Sequence, residues 1–106
     1  MTQHALIVHF RYGSSDLTRL FELEDRIEDA IESAGVGRFD GNLLATDGRD
    51  GYLYMYGADA DRLFDVVEPI LASADFMNGA EVTRQYGPAE PGVRQASSTI
   101  IFQASH

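Results

Sequence analysis

Gly51-Tyr52-Leu53-Tyr54-Met55-Tyr56-Gly57 alternates aromatic and aliphatic side chains, and the stripe Leu63, Val66, Val67, Ile70, Leu71, Ala74 follows it at once. Alternation with a period of two marks a strand, and steps of three and four mark a helix. The stretch therefore predicts a strand feeding directly into an amphipathic helix. It also divides the strand, with Tyr52, Tyr54 and Tyr56 on one side and Leu53 and Met55 on the other.

Upstream, His4 to Tyr12 reads as a first strand, in which Leu6, Val8, Phe10 and Tyr12 share one face and Ala5, Ile7, His9 and Arg11 the other. Gly13-Ser14-Ser15-Asp16 breaks it and offers N-caps for a helix from Asp16 to Ala34. The buried stripe of that helix is Leu20, Leu23, Ile27, Ala30, Ile31 and Ala34, and Gly35 ends it in a left-handed conformation. Glu22, Asp25, Glu28, Asp29 and Glu32 spread over the rest of its surface as an acidic ridge. A second strand follows from Arg38 to Thr46, with Gly41 marking a bulge or a close backbone approach. Asp47-Gly48-Arg49-Asp50-Gly51 then makes a hairpin connection.

Downstream, Asp59 or Asp61 caps the second helix, which is expected to continue through Pro69 with a kink because the apolar stripe keeps its register. A fourth strand spans Ala80 to Tyr86. Residues 88–94 form a linker, and residues 95–106 supply an extra strand or arm centred on Ser98 to Gln103. The order strand, helix, strand, strand, helix, strand predicts one ferredoxin-like α+β sandwich, βαββαβ over residues 1–87, with an antiparallel sheet and an added C-terminal strand. The segment from Gly37 to Gly87, carrying Phe39-Asp40-Gly41-Asn42, Asp50-Gly51-Tyr52-Leu53-Tyr54-Met55-Tyr56-Gly57, Ala60-Asp61-Arg62-Leu63-Phe64 and Gly79-Ala80-Glu81-Val82, resembles small uncharacterised bacterial proteins of ferredoxin-like fold. That resemblance implies a fold and brings no catalytic residues with it.

Bulk composition narrows the chemistry. The 106 residues are enough for one core, and 44% of them are hydrophobic. With no cysteine, thiolate catalysis, disulfides and cysteine-ligated metals are excluded. Seventeen acidic residues oppose eight basic ones, all arginine, for a net charge of −9. That sign disfavours nucleic acid and anionic membranes, and it suits a basic protein partner steered by charge. No signal peptide or membrane span is evident, so a cytoplasmic location is the expectation.

In a sandwich with both helices on one face of the sheet, the tyrosine row falls on the other. Tyr52, Tyr54 and Tyr56, joined by His9, Arg84 and Tyr86, are the candidate partner- or ligand-binding face, because Tyr and Arg are enriched at interface hot spots. Arg84 is assigned there because burying it against the helices would be costly. His4 and His9 fall on opposite faces and cannot converge on a metal, and His106 is terminal. Asp47 to Gly51 lacks the alternating oxygen ligands of a calcium loop. No phosphate loop, nucleophile elbow or HExxH motif occurs, so no catalytic residue, metal or cofactor is expected. These readings converge on a non-enzymatic acidic interaction module, of the immunity or antitoxin type, that masks a basic partner and forms a homodimer. The alternative is a small-molecule binder or cofactor-less enzyme, made by dimerisation over the open sheet and lined by Tyr54, Tyr56, His9 and Arg84.

Overall fold

A computed structural model describes residues 3–13, 16–45, 49–88 and 90–103. It is an α+β structure with two helices and a five-stranded antiparallel sheet. The elements run β1 (His4–Arg11), α1 (Thr18–Ala34), β2 (Arg38–Leu44), β3 (Asp50–Gly57), α2 (Ala60–Ala72), β4 (Glu81–Gln85) and β5 (Gln95–Thr99), with a short 3-10 turn at Asp75–Met77. Across the sheet the order is β2-β3-β1-β4-β5.

The register fixes the faces, because paired residues of neighbouring strands point the same way. Leu6 lies opposite Met55, and Val8 opposite Leu53 and Val82. All five are fully buried, as are Leu20, Ile27 and Ile31 of α1 and Leu63, Val67 and Leu71 of α2. Both helices therefore close one side of the sheet. Ala30 is only half-buried and Ala34 is exposed, so the α1 stripe is narrower than expected; Glu24 fills the position between Leu20 and Ile27 instead.

Local chemistry sets the helix ends. Gly35 adopts φ +64° and its N–H donates to Glu32 and Ile31 carbonyls, closing α1 as expected. Asp59 caps α2, its carboxylate accepting from the Asp61 and Arg62 N–H groups. The helix runs through exposed Pro69 and ends at Ala72. Ala74, expected in the α2 stripe, instead precedes the 3-10 turn, which has no counterpart in the sequence reading.

The expected irregularity at Gly41 is a β-bulge. The register with β3 skips between Phe39 and Gly41, leaving Asp40 as the extra residue, and Gly41 takes φ +117°, which disfavours any side chain. The skip turns Phe39, Asn42 and Leu44 toward the helices and Leu43 away from them. β5 pairs with β4 in unbroken register from Gln95↔Gln85 to Thr99↔Glu81, so the C-terminal strand folds back within the chain and begins earlier than its composition suggested. The expected caps at Ser14 and Ser15, the tip of the Asp47–Gly51 connection and His106 lie outside the described residues. No helix of the described residues is long and apolar enough to cross a membrane.

Candidate functional site

On the side of the sheet away from the helices, Tyr52, Tyr54 and Tyr56 stand half-exposed in a row along β3. Their neighbours in register are His9, Ile7 and Ala5 on β1 and Leu43, Gly41 and Arg38 on β2. The rings are held by one another. His9 stacks on Tyr52 at 4.6 Å between centroids, Tyr52 follows Tyr54 at 6.2 Å with the same 17° tilt, and the Arg38 guanidinium sits 4.9 Å from the Tyr56 ring centre. Such contacts restrict the rings and lower the entropy lost when a partner fixes them. Leu43 remains 59% exposed at the β2 end of the row. At the other end, a concavity of about 400 Å³ opens beside Tyr54 and Tyr56, floored by Ala5 and Ile7 and walled by Pro88.

His9 has a carboxylate that spacing did not reveal. Its Nε2 lies 3.3 Å from Asp50 Oδ1, and Arg11 Nε reaches the same oxygen at 4.0 Å. The antiparallel register of β1 on β3 brings these residues, forty-one positions apart, to one end of the face. Among the described residues no three His, Asp or Glu side chains converge to hold a metal ion.

Arg84 and Tyr86 do not join this face. Arg84 lies opposite Leu6 and therefore on the helix side, which corrects the open-face assignment. Its burial is made tolerable by groups that α2 and β5 supply. Nη1 donates to Asp61 Oδ1 at 3.0 Å, Nη2 to Ser98 Oγ at 3.3 Å, and the guanidinium rests 5.0 Å from the Phe64 ring centre. Only Nε is buried without a partner. The Tyr86 hydroxyl donates to the same Asp61 oxygen at 2.6 Å, and His4 meets the Tyr86 ring edge-on while His4 Nδ1 accepts from the Ala60 N–H. The Tyr86 hydrogen bond, followed by the nearby arginines, holds the Asp61 carboxyl below the usual carboxylate range. This cluster ties the start of α2 to β1, β4 and β5. His4 and His9 sit on opposite faces.

The acidic ridge residues Glu22, Asp25, Glu28, Asp29 and Glu32 are all exposed on α1. Glu24 is not: it is 8% exposed, with Asn42 Nδ2 donating to Oε1 at 3.0 Å and Oε2 at 2.8 Å. Burial raises its carboxyl above the usual value, and the Asn42 hydrogen bonds offset part of that rise.

Charge is divided between the two layers. Together α1 and α2 carry nine acidic side chains against three arginines. The strand residues facing away from the helices carry Arg11 and Arg38 against Asp50 and Glu81, and the bulged Asp40 accepts from Arg38 Nη1 at 2.9 Å. The tyrosine face is thus aromatic and of low net charge, within a chain of net charge −9. No protein-family model matches the chain, and a search of curated proteins finds no significant relative.

Proposed function

We propose that the protein is a non-enzymatic, acidic interaction module of the immunity or antitoxin type, which docks a basic protein through its uncovered sheet face. The observation that carries the reading is the pre-arranged row of Tyr52 and Tyr54 with His9, Ile7 and exposed Leu43 on a face of low net charge. Interface cores are depleted of charge and enriched in tyrosine, and a few aromatic anchors carry most of the binding free energy. The concavity beside Tyr54 and Tyr56 suits an apolar anchor from the partner. The acidic helical layer has a different role: it draws a basic partner in by long-range attraction and sets the salt dependence of association. As part of the same proposal, the β2-β3-β1-β4 portion is ferredoxin-like, with β5 as an added edge strand; antiparallel neighbours and the strand order support this.

The test is capture of binding proteins from the source organism by wild type, Tyr54→Ala and a Glu28→Arg/Asp29→Arg/Glu32→Arg variant. A basic protein retained by wild type, lost with Tyr54→Ala and bound more slowly by the charge-reversed variant supports the reading. Equal retention by wild type and Tyr54→Ala refutes it.

One observation favours a second reading, a small-molecule site. The His9–Asp50 pair, with the imidazole stacked on Tyr52, has the layout of a general base oriented by a carboxylate. Arg84, on the opposite face, takes no part in it.

A further inference from the structure

The two edges of the sheet differ in a way that points to a partner for one of them. An edge strand offers unpaired N–H and C=O groups, and proteins protect such edges with bulges, charges and prolines. The β2 edge has two of these devices, the Asp40 bulge and the charges of Arg38 and Asp40. The β5 edge, Gln95-Ala96-Ser97-Ser98-Thr99, has none: it is uncharged, free of proline and in unbroken register with β4. Among the described residues no strand covers its outer side.

The hydrogen-bond pattern says which residues face outward. Tyr86 N–H donates to the Arg94 carbonyl at 2.9 Å, and Ile100 N–H donates to the Ala80 carbonyl at 2.8 Å. Hydrogen-bonded pairs recur every second residue in an antiparallel ladder, so Ala96 and Ser98 also turn their backbone groups to β4. Gln95, Ser97 and Thr99 turn theirs to the free edge. Two such edges related by a two-fold axis fit each other when the axis passes Ser97, which sets Gln95 opposite Thr99 of a second copy and uses all three outward residues of each strand.

That register makes one further complementary contact. Arg94, which stacks on the Tyr86 ring at 4.4 Å, comes opposite Ile100 of the second copy and on the helix side of the sheet. There Glu68 lines a hollow of about 280 Å³ with Ile100 and Ile101, and it makes no hydrogen bond or ion pair among the described residues. We propose that β5 is a self-association edge, at which a second copy of this chain adds antiparallel about Ser97, joins the two sheets into one and forms reciprocal Arg94–Glu68 ion pairs. This dimer leaves the tyrosine face uncovered and stands independently of the partner proposed above.

Light scattering on full-length protein at about 100 μM tests it. Wild type should show twice the chain mass. Ser97→Pro should show the single mass with an unchanged far-UV spectrum, because the lost N–H faces the free edge and not β4. In a chain without cysteine, Ser97→Cys should cross-link to its copy under mild oxidation, the facing Cα atoms being about 5.5 Å apart. Thr99→Cys, roughly 15 Å from its own counterpart (four residues along and one strand across), should not. Glu68→Arg or Arg94→Glu alone should weaken the dimer roughly tenfold, and the double exchange should restore it. A monomeric wild type, a dimer that survives Ser97→Pro, or Thr99→Cys cross-linking as readily as Ser97→Cys overturns the proposal.

Discussion

Replacing Asn42 by alanine isolates the one contact between α1 and the bulged β2 that supports a buried charge. Glu24 is 8% exposed, and both of its side-chain hydrogen bonds come from Asn42 Nδ2, at 3.0 and 2.8 Å. A hydrogen bond to a charged group contributes about 1.5–3 kcal/mol, and the exposed flank of Asn42 places this one toward the lower end. Asn42→Ala should therefore cost about 1.5 kcal/mol at pH 7, or a fall in midpoint of about 6–12 °C at 4–8 °C per kcal/mol. The pH dependence carries the sharper test. Burial raises the Glu24 carboxyl above its usual value, so between the unfolded and folded values the native state binds more protons than the unfolded chain. Stability from this site is thus fully present below the unfolded value and is lost as pH rises through the folded one. Removing Asn42 takes away a group that favours the carboxylate, which widens that window. Urea unfolding followed by circular dichroism should show the variant's deficit shrinking as pH falls into the carboxyl range, where Glu24 is protonated. Glu24→Gln should gain on wild type at pH 7 and lose that advantage in acid. A deficit for Asn42→Ala that is below about 0.5 kcal/mol at pH 7, or that is independent of pH, would show that Glu24 is solvated in the native state.

Other expectations follow from the same geometry. Gly57→Ala places a Cβ 2.2 Å from the Val36 carbonyl oxygen, a contact of backbone with backbone, and should cost at least about 2 kcal/mol in urea unfolding. Arg84→Met should leave stability within about 1 kcal/mol, since the Asp61 carboxylate left behind is 55% exposed and keeps its Tyr86 hydrogen bond, while the methionine packs over Phe64 in place of an arginine with an unpartnered Nε; it should also leave partner capture through the tyrosine face unchanged. Tyr86→Phe removes the first cause of the low Asp61 carboxyl, so a carbon-detected titration should show that carboxyl moving up. Because a depressed carboxyl stabilises above its unfolded value and loses that effect as pH falls through the folded one, the variant's stability deficit should be largest near neutral pH and vanish in acid.

Element order, the caps at Gly35 and Asp59 and most of the core were readable from local pattern, because each depends on residues a few positions apart; the start of α1 was not, since it begins at Thr18 with Leu17 before it and no side-chain cap. Asp59 sits before an apolar stripe, Gly35 after one, and Leu53 and Met55 alternate with tyrosines; each constrains its own backbone whatever packs nearby. A signal for Glu24 was also present, since it stands four residues after Leu20 and three before Ile27. Only its charge argued against the stripe, and Asn42 meets that charge because the bulge at Asp40 turns Asn42 inward.

Tertiary structure alone decided the site. Val82 and Arg84 share a face, and the apolar member points that face at the helices. Whether an arginine can follow depends on Asp61, Phe64 and Ser98, which come from α2 and β5. The partner of His9 is likewise set by the β1–β3 register, which brings Asp50 to it across forty-one residues. The sequence by itself determined which segments are strand or helix and which side of β3 is aromatic, since backbone preference and side-chain alternation act locally. The companions of each polar group were decided by pairing and packing, because the cost of burying a charge is set by donors and acceptors that only the folded chain brings within reach.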